Sequence, residues 1–350
     1  MNTDLIATAH VRKWHRAEIR TAAAIESVKL LTPPVIAPSL ASVITRVWGQ
    51  CMGLTANVDP AVAKVEIIAY AKKRGALAVG VADLEAIERI APPGHRPTDI
   101  MPRVKSVIAL GVGGQTQGTW SVPAKAMAYF GSTETRAYSC AYGLAFFIES
   151  KFGIPSIYCP PDMDNESGPR VPLQSLKLHA ELAGIGARSL AGDILLHPEF
   201  GYMYFASVFT ELELPADAPM AENPCPAPSC IDMYRKIGQT PCMKFCPVQC
   251  LSGTIDPQGR QVEMHYDMAA CAEMSQQYEA VPALLAEALA AEDEARRTDT
   301  LFDPDHKMLW YKMSVGSGGL LAQCFECMRA CPIATRAPQA DPIRRAKIST

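Results

Sequence analysis

The chain has 350 residues, a net charge of −3 and twelve cysteines. This length predicts one large domain with a smaller module, or two domains. The slightly acidic balance provides no basic surface for a phosphate backbone and so disfavours nucleic acid as a partner. No apolar run reaches the roughly 18 residues of a membrane span and no leader sequence is recognisable, so we expect a cytoplasmic protein without a membrane partner.

The first two thirds of the chain predict helices that alternate with strands. Residues 1–58 are predicted to be an N-terminal helical extension of short helical pieces interrupted by prolines. From Asp59, "DPAVAKVEIIAYAKKRG" predicts a helix with a capped start and a glycine end, followed by the strand "ALAVGVA". "SVIALGVG" predicts a buried strand, and the alternation continues to Leu214. Residues 59–214 therefore predict an α/β domain with both sheet faces covered.

The composition changes after Pro215. "PADAPMAENPCPAPSC" predicts a linker into an irregular module, residues 215–350, in which "YEAVPALLAEALAAEDEARR" forms a helical insertion. Nine of the twelve cysteines lie between Cys225 and Cys331. In a reducing compartment such crowding indicates metal binding rather than disulfides.

Two cysteine motifs share one spacing. "CFECMRACP" reads Cys324-x2-Cys327-x3-Cys331-Pro, and Cys242-x3-Cys246-Pro repeats its second half. In bacterial ferredoxin-like modules the cysteine before proline ligates the neighbouring cluster, so a pair of such motifs predicts two [4Fe-4S] clusters. The alternative is zinc, which favours paired C-x2-C knuckles, whereas this chain contains a single C-x2-C.

The crossed rule sorts the thiols into two sets. Set A, the predicted ligands of one cluster, consists of Cys225, Cys230, Cys242 and Cys331. Set B, the predicted ligands of the other, consists of Cys246, Cys271, Cys324 and Cys327. Cys250 is a ninth thiol that either replaces Cys246 or stays free. Cys51, Cys140 and Cys159 lie in the apolar first half and are predicted to be buried small hydrophobic residues.

The order of these motifs resembles a known superfamily. "PPGHRPTDIMPRVKSVIALGVG", "LKLHAELAGIGARSLAGDILLHPEFG" and "YFASVFTELELP", followed by crossed cysteine motifs, are similar to the cobalamin-dependent iron–sulfur reductases, which comprise reductive dehalogenases and epoxyqueuosine reductases. The resemblance covers residues from about Val65 to Ile333. It implies an α/β (α+β) fold with a nitroreductase-like core that binds base-off cobalamin, beside a ferredoxin-like module with two [4Fe-4S] clusters.

The resemblance also implies cofactor-binding and catalytic residues. The predicted corrinoid contacts are Gly184 and Gly186, and the turn formed by His197, Pro198, Glu199, Phe200 and Gly201. The alternative for the two glycines is an ordinary helix C-cap. The predicted proton donors are Tyr129, Glu134 and Tyr138, and Arg188 is predicted to stabilise a leaving anion or the conjugate base of the donor. Alternatively, Tyr138 belongs to a buried helix stripe and Glu134 to a solvated cap.

The resulting hypothesis is a cytoplasmic, reductive dehalogenase-like enzyme that uses Co(I) to remove a halide or oxygen substituent from a small organic substrate. Its electrons come from an external ferredoxin or flavodoxin. One alternative is a corrinoid-free, two-cluster electron-transfer protein. Another is epoxyqueuosine reduction on tRNA, which is disfavoured because "STET" stands where Asp-Tyr-His is expected. A homodimer stays open, because nitroreductase-like folds often pair.

Overall fold

The core of the protein is a six-stranded sheet. The computed structural model describes residues 58–123, 134–159, 173–192, 194–276, 280–303 and 324–336, so the predicted N-terminal extension lies almost wholly outside the described residues. The strands are β1 (Ala76–Ala82), β2 (Ser106–Gly113), β3 (Ser156–Cys159), β4 (Ala187–Arg188), β5 (Leu195–His197) and β6 (Gly201–Thr210). Their order is β1-β2-β6-β5-β4, and β3 also pairs with β6.

The strand pairings among the described residues are antiparallel. β6 is the central strand: Met203–Thr210 pairs with β2, and Ser207–Thr210 also pairs with β3. β5 meets the beginning of β6 through Leu196 and Tyr202. The predicted mixed fold of helices and strands is confirmed. Because the sheet is antiparallel, the fold is of the α+β class.

Helices cover both faces of this sheet. They are α1 (Pro60–Lys73), α2 (Leu84–Ile90), α3 (Pro97–Ile100), α4 (Gln117–Ser121), α5 (Glu134–Phe152) and α6 (Leu176–Leu182). Ile108, Leu110 and Val112 pack in one cluster with α1 and α5, whereas Val107 and Ala109 pack in a second cluster with α2 and α6. Successive side chains of a strand point to opposite faces, so a strand buried on both faces is apolar throughout.

A buried histidine links α6 to the central strand. His179 is 1% exposed, and its Nδ1 is hydrogen-bonded to the Ser207 hydroxyl at 3.0 Å. Its ring also meets Phe209 edge-on. Burial lowers the pKa of His179 from its ordinary 6.5 to about 3, because the charged imidazolium would lose its water. His179 is therefore neutral in the folded protein at neutral pH, and it fills a structural position.

This histidine makes the stability depend on pH. As the pH falls below 6.5, His179 becomes protonated in the unfolded chain, whereas in the folded protein it stays neutral down to a pH of about 3. The protein therefore loses stability as the pH falls from 6.5 to about 3. Between about pH 7 and about pH 5 the loss from this group is about 2 kcal/mol. His179→Asn, whose amide retains a polar atom near the Nδ1 position, should remove that share of the pH dependence. Urea unfolding of both proteins at the two pH values tests this, and equal pH dependence contradicts it.

The segment after β6 is fastened to the sheet edge. The Asp217 carboxylate accepts the Val81 backbone N–H at 2.8 Å, and the Asp217 N–H donates to the Val81 carbonyl at 2.7 Å. Lys64 on α1 forms an ion pair with the same carboxylate at 2.7 Å. These bonds continue the hydrogen-bonding pattern of β1 and lead the chain from the core into the cysteine-rich module.

The module consists of short elements. They are α7 (Pro228–Ile237), α8 (Pro241–Lys244), the hairpin β7 (Leu251–Ile255) and β8 (Gln261–Tyr266), then α9 (Met268–Gln276), α10 (Ala280–Ala290), α11 (Glu294–Phe302) and α12 (Glu326–Arg329). The predicted helical insertion is present as α10 and α11. None of the helices in the described ranges combines the length and apolar character that a membrane span needs.

Candidate metal centre

The four cysteines of set A line one cavity. The cavity lies between the β4–β5 connection and the module. Its walls are Ser189, Leu190, Ala191, Cys225, Pro226, Cys230, Thr240, Pro241, Cys242, Cys331, Pro332 and Ile333. The sequence places these thiols on three separate stretches, and the fold brings them to one site.

Hydrogen bonds hold the set A sulfur atoms in place. The Leu190 N–H points at the Cys225 sulfur at 3.4 Å, and the Ala334 N–H points at the Cys331 sulfur at 3.4 Å. The Thr240 hydroxyl lies 3.1 Å from the Cys242 sulfur. Backbone N–H donors on cysteine sulfur are among the features that set the reduction potential of an iron–sulfur cluster.

The peptide before Cys225 is positioned by an asparagine. Asn223 Nδ2 donates to the Arg188 carbonyl at 2.7 Å, and Asn223 Oδ1 accepts the Cys225 N–H at 3.0 Å. One side chain thus ties β4 of the core to the first cysteine of the module. Sequence reasoning missed Asn223, although an asparagine two residues before a cysteine in a proline-rich stretch is a recognisable turn signal.

Set B gathers beside set A, and Cys250 lies with it. The sulfur atoms of Cys246 and Cys250 are 3.4 Å apart. Burial raises the pKa of Cys324, and the nearby Cys271 and Cys246 add to this rise. Burial also raises the pKa of Cys327, with contributions from Cys242 of set A and from three thiols of set B. Cys327 is therefore the thiol at which the two sets adjoin.

The thiols lie in an environment that favours their neutral form. Burial raises the pKa of Cys225 to about 12 and that of Cys242 to about 11. Without a cation these thiols keep their protons at neutral pH, whereas coordination to a metal deprotonates a thiol outright. Within the described ranges, no three His, Cys, Asp or Glu side chains converge tightly enough for a single ion.

Solved structures of the superfamily resemble this fold. A selenomethionine-labelled epoxyqueuosine reductase is 18% identical with a TM-score of 0.46, and the match covers 80% of this chain and 69% of that chain. The Bacillus subtilis epoxyqueuosine reductase is 17% identical with a TM-score of 0.45, over 80% and 66% of the two chains. A catabolic reductive dehalogenase is 17% identical with a TM-score of 0.43, over 75% and 38%.

These structural neighbours are reductases of the superfamily that the sequence motifs resemble. With identities below 25% and TM-scores below 0.5, these matches assign no role to this chain. The match spans about half, 52%, of an epoxyqueuosine reductase solved with a modified tRNA stem loop. No protein-family model matches the chain, and no curated protein matches it either.

The predicted corrinoid-binding turn packs against the Cys331 segment. Gly201 has φ +66°, and a Cβ there would lie 2.6 Å from the Ile333 carbonyl oxygen. The Tyr202 N–H donates to the Ala334 carbonyl at 3.3 Å, and Arg336 donates to the Pro198 carbonyl at 2.5 Å. The turn that links β5 to β6 is thus joined to the segment that carries a set A ligand.

His197 organises this turn. Its Nδ1 accepts the backbone N–H groups of Glu199 and Phe200, at 3.1 and 3.2 Å, and its ring stacks on the Phe200 ring. Burial lowers the pKa of His197, which keeps the ring neutral and its Nδ1 free of a proton. Pro198 and Glu199 are exposed and Phe200 is half-buried. Contact of this turn with a corrinoid stays a prediction.

The two predicted corrinoid glycines pack against the chain itself. Gly184 follows the last turn of α6 with φ +68°, and a Cβ there would lie 2.3 Å from the Ala218 carbonyl oxygen. A Cβ on Gly186 would lie 3.0 Å from the Leu195 Cβ. Gly184 therefore has the geometry of a helix C-cap, the alternative that the sequence left open. Contact of either glycine with a cofactor stays a prediction.

The predicted catalytic residues are only partly described. Tyr129 lies outside the described residues. Glu134 is the first residue of α5, and its side chain also lies outside the described part of the structure. Tyr138 is half-buried one turn further along. Arg188 forms an ion pair with Glu181 at 2.6 Å, so its charge is already balanced. Their catalytic roles stay predictions.

Proposed function

We propose that the chain is a cobalamin- and [4Fe-4S]-dependent reductase of the reductive dehalogenase type. The observation that carries the proposal is the gathering of sets A and B beside an α+β core, with set A around one cavity. The substrate is a small organic molecule that loses a halide or an oxygen substituent. We also propose a cytoplasmic location and an external ferredoxin or flavodoxin as electron donor.

The described residues fit two clusters. Cys225, Cys230, Cys242 and Cys331 would hold one cluster at the set A cavity. Cys271, Cys324, Cys327 and a thiol from the Cys246–Cys250 pair would hold the other. When bound, such clusters supply single electrons at potentials tuned by hydrogen bonds and burial. The adjoining position of Cys327 supports electron passage between the two sets.

The core would hold the corrinoid at the β5–β6 turn. This turn is hydrogen-bonded to the segment after Cys331, so a corrinoid in contact with it would lie near set A. When bound, the corrinoid supplies a low-valent cobalt that reduces the bond to the leaving substituent. Replacing a carbon–halogen bond by a carbon–hydrogen bond consumes two electrons and one proton and releases halide.

The proton would come from the region at the start of α5. Tyr129, Glu134 and Tyr138 are the proposed donors, since a phenol or carboxylic acid in a dry pocket keeps its proton until the substrate takes it. Arg188 is held by Glu181 and by the contact of its own carbonyl with Asn223. The Arg188 guanidinium would stabilise the leaving anion or the conjugate base of the proton donor.

Retention of corrinoid tests the proposal. Protein reconstituted with iron and sulfide without oxygen, then mixed with hydroxocobalamin, should elute from gel filtration with about one corrinoid and about eight iron atoms per chain. Tyr129→Phe should slow turnover and leave both contents unchanged, because it removes only the hydroxyl group that would donate the proton. Corrinoid that elutes free of iron-loaded protein would point instead to the electron-transfer protein. An iron content far below eight contradicts both functions.

A further inference from the structure

Set B and Cys250 together contain one more thiol than a cluster needs. Cys246 and Cys250 pack in one cluster with Cys271 and Cys327, and their exposed fractions are 7% and 8%. A [4Fe-4S] cluster takes four cysteine ligands, and set B with Cys250 provides five. Two of these five, Cys246 and Cys250, are only four residues apart in the chain.

The backbone between them turns both side chains toward the same place. Gln249 has φ +50°, and it is the one residue other than glycine with a positive φ in the part of the chain that the structure describes. The Gln249 N–H donates to the Cys246 carbonyl at 3.2 Å, which closes a tight turn. A left-handed conformation costs a non-glycine residue about 1 kcal/mol or more, so surrounding interactions must maintain it. The result is the 3.4 Å separation of the two sulfur atoms.

The two thiols also face the same neighbours. Cys246 packs in one cluster with Cys250, Cys271 and Cys327. Cys250 contacts Cys246 and is hydrogen-bonded to Cys271. Its backbone is fixed as well, because the Asp267 N–H donates to the Cys250 carbonyl at 2.9 Å at the open end of the β7–β8 hairpin. The two sulfur atoms are therefore adjacent to each other and belong to one cluster with Cys271 and Cys327.

We propose that Cys246 and Cys250 are interchangeable ligands for one iron position of the set B cluster. The inference rests on the proposed function only in that it requires this cluster. In the exchange the bond from iron to the Cys246 sulfur breaks as the bond to the Cys250 sulfur forms. The proton of the Cys250 thiol passes to the released Cys246 thiolate, so no electron is gained or lost.

Alanine variants of the two residues test the exchange, because alanine cannot ligate iron. The variants Cys246→Ala, Cys250→Ala and the double variant are reconstituted without oxygen, and iron and acid-labile sulfide are measured per chain. Each single variant should keep about eight iron atoms, whereas the double variant should keep about four. The EPR spectrum of the reduced Cys246→Ala protein should differ from that of the native protein in one of its two cluster signals.

The alternative outcomes are distinct. If Cys246→Ala alone falls to about four iron atoms, Cys250 cannot take its place; the same loss in Cys250→Ala alone makes Cys250 the sole ligand. About eight iron atoms in the double variant means that neither residue ligates. Each of these results overturns the exchange, whereas a native protein far below eight overturns the proposed function itself. Valine variants, whose side chain also cannot ligate iron, repeat the comparison if an alanine variant fails to fold, which circular dichroism reports.

Discussion

Cys327→Ala is expected to lower the iron content from about eight to about four atoms per chain and to destabilise the module. Cys327 is the thiol at which sets A and B adjoin, and neighbouring thiols of both sets add to the rise that burial causes in its pKa. The nearby Cys324 is itself a predicted ligand of set B, so it cannot take the place of Cys327. Metal binding and folding are coupled in such modules, so loss of a ligand also exposes the module to unfolding.

The matched control is Cys140→Ala. Cys140 is also a buried thiol, but it lies on α5, packs against α1 in the core, and its sulfur contacts the Ala71 carbonyl. This variant should keep its full iron content and lose only packing energy, about 1 kcal/mol. Iron and sulfide assays on both proteins, with thermal unfolding beside them, make the comparison. A full complement of iron in Cys327→Ala would remove Cys327 from the ligands.

Gly201→Ala is expected to destabilise the protein by about 2 kcal/mol or more and to reduce the iron held by set A. Gly201 has φ +66°, and a Cβ would lie 2.6 and 2.9 Å from the carbonyl oxygens of Ile333 and Ala334. Backbone atoms cannot swing aside as a side chain can, so the segment after Cys331 must shift. Such a shift moves the Ala334 N–H that points at the Cys331 sulfur.

Gly238→Ala is the control that separates the strain of a positive φ from the steric clash of a Cβ with the Cys331 segment. Gly238 ends α7 with φ +71°, and a Cβ there meets no atom within 4 Å. It should cost only about 1 kcal/mol, the penalty for a left-handed alanine, and leave the iron content unchanged. Urea unfolding and iron assays on both variants test the pair. Equal losses of unfolding free energy in the two variants would show that contact with the Cys331 segment contributes nothing to the destabilisation by Gly201→Ala.

Local sequence patterns predicted most elements of the core. The Asp-Pro pair before α1 is a helix start, and the Asp59 carboxylate accepts the N–H groups of Ala61 and Val62. The β2 stretch "SVIALGVG" is apolar throughout, which predicts a strand buried on both faces. These signals act within a few residues, so they are legible before folding. The β7–β8 hairpin was missed, although "IDPQGR" between two alternating stretches is a turn signal.

Cysteine spacing sorted the thiols into two sets, and their role as cluster ligands stays a prediction. The crossed Cys-Pro rule paired Cys331 with Cys242, and the fold places both on the set A cavity. The rule did not assign Cys250 to a cluster, because the position of Cys250 depends on the left-handed turn at Gln249 and on the hairpin that follows. It was also silent on Asn223, which connects Cys225 to β4.

Short-range chemistry was therefore readable in the chain: which stretches are helices or strands, where they begin, and which cysteines share a motif. The antiparallel order of the sheet, the joining of Gly201 to the Cys331 segment and the approach of Cys250 to Cys246 depend on residues far apart in sequence or on one strained turn. Such contacts form only when hydrophobic burial of the whole core offsets the entropy of closing long loops, and no local pattern encodes that balance.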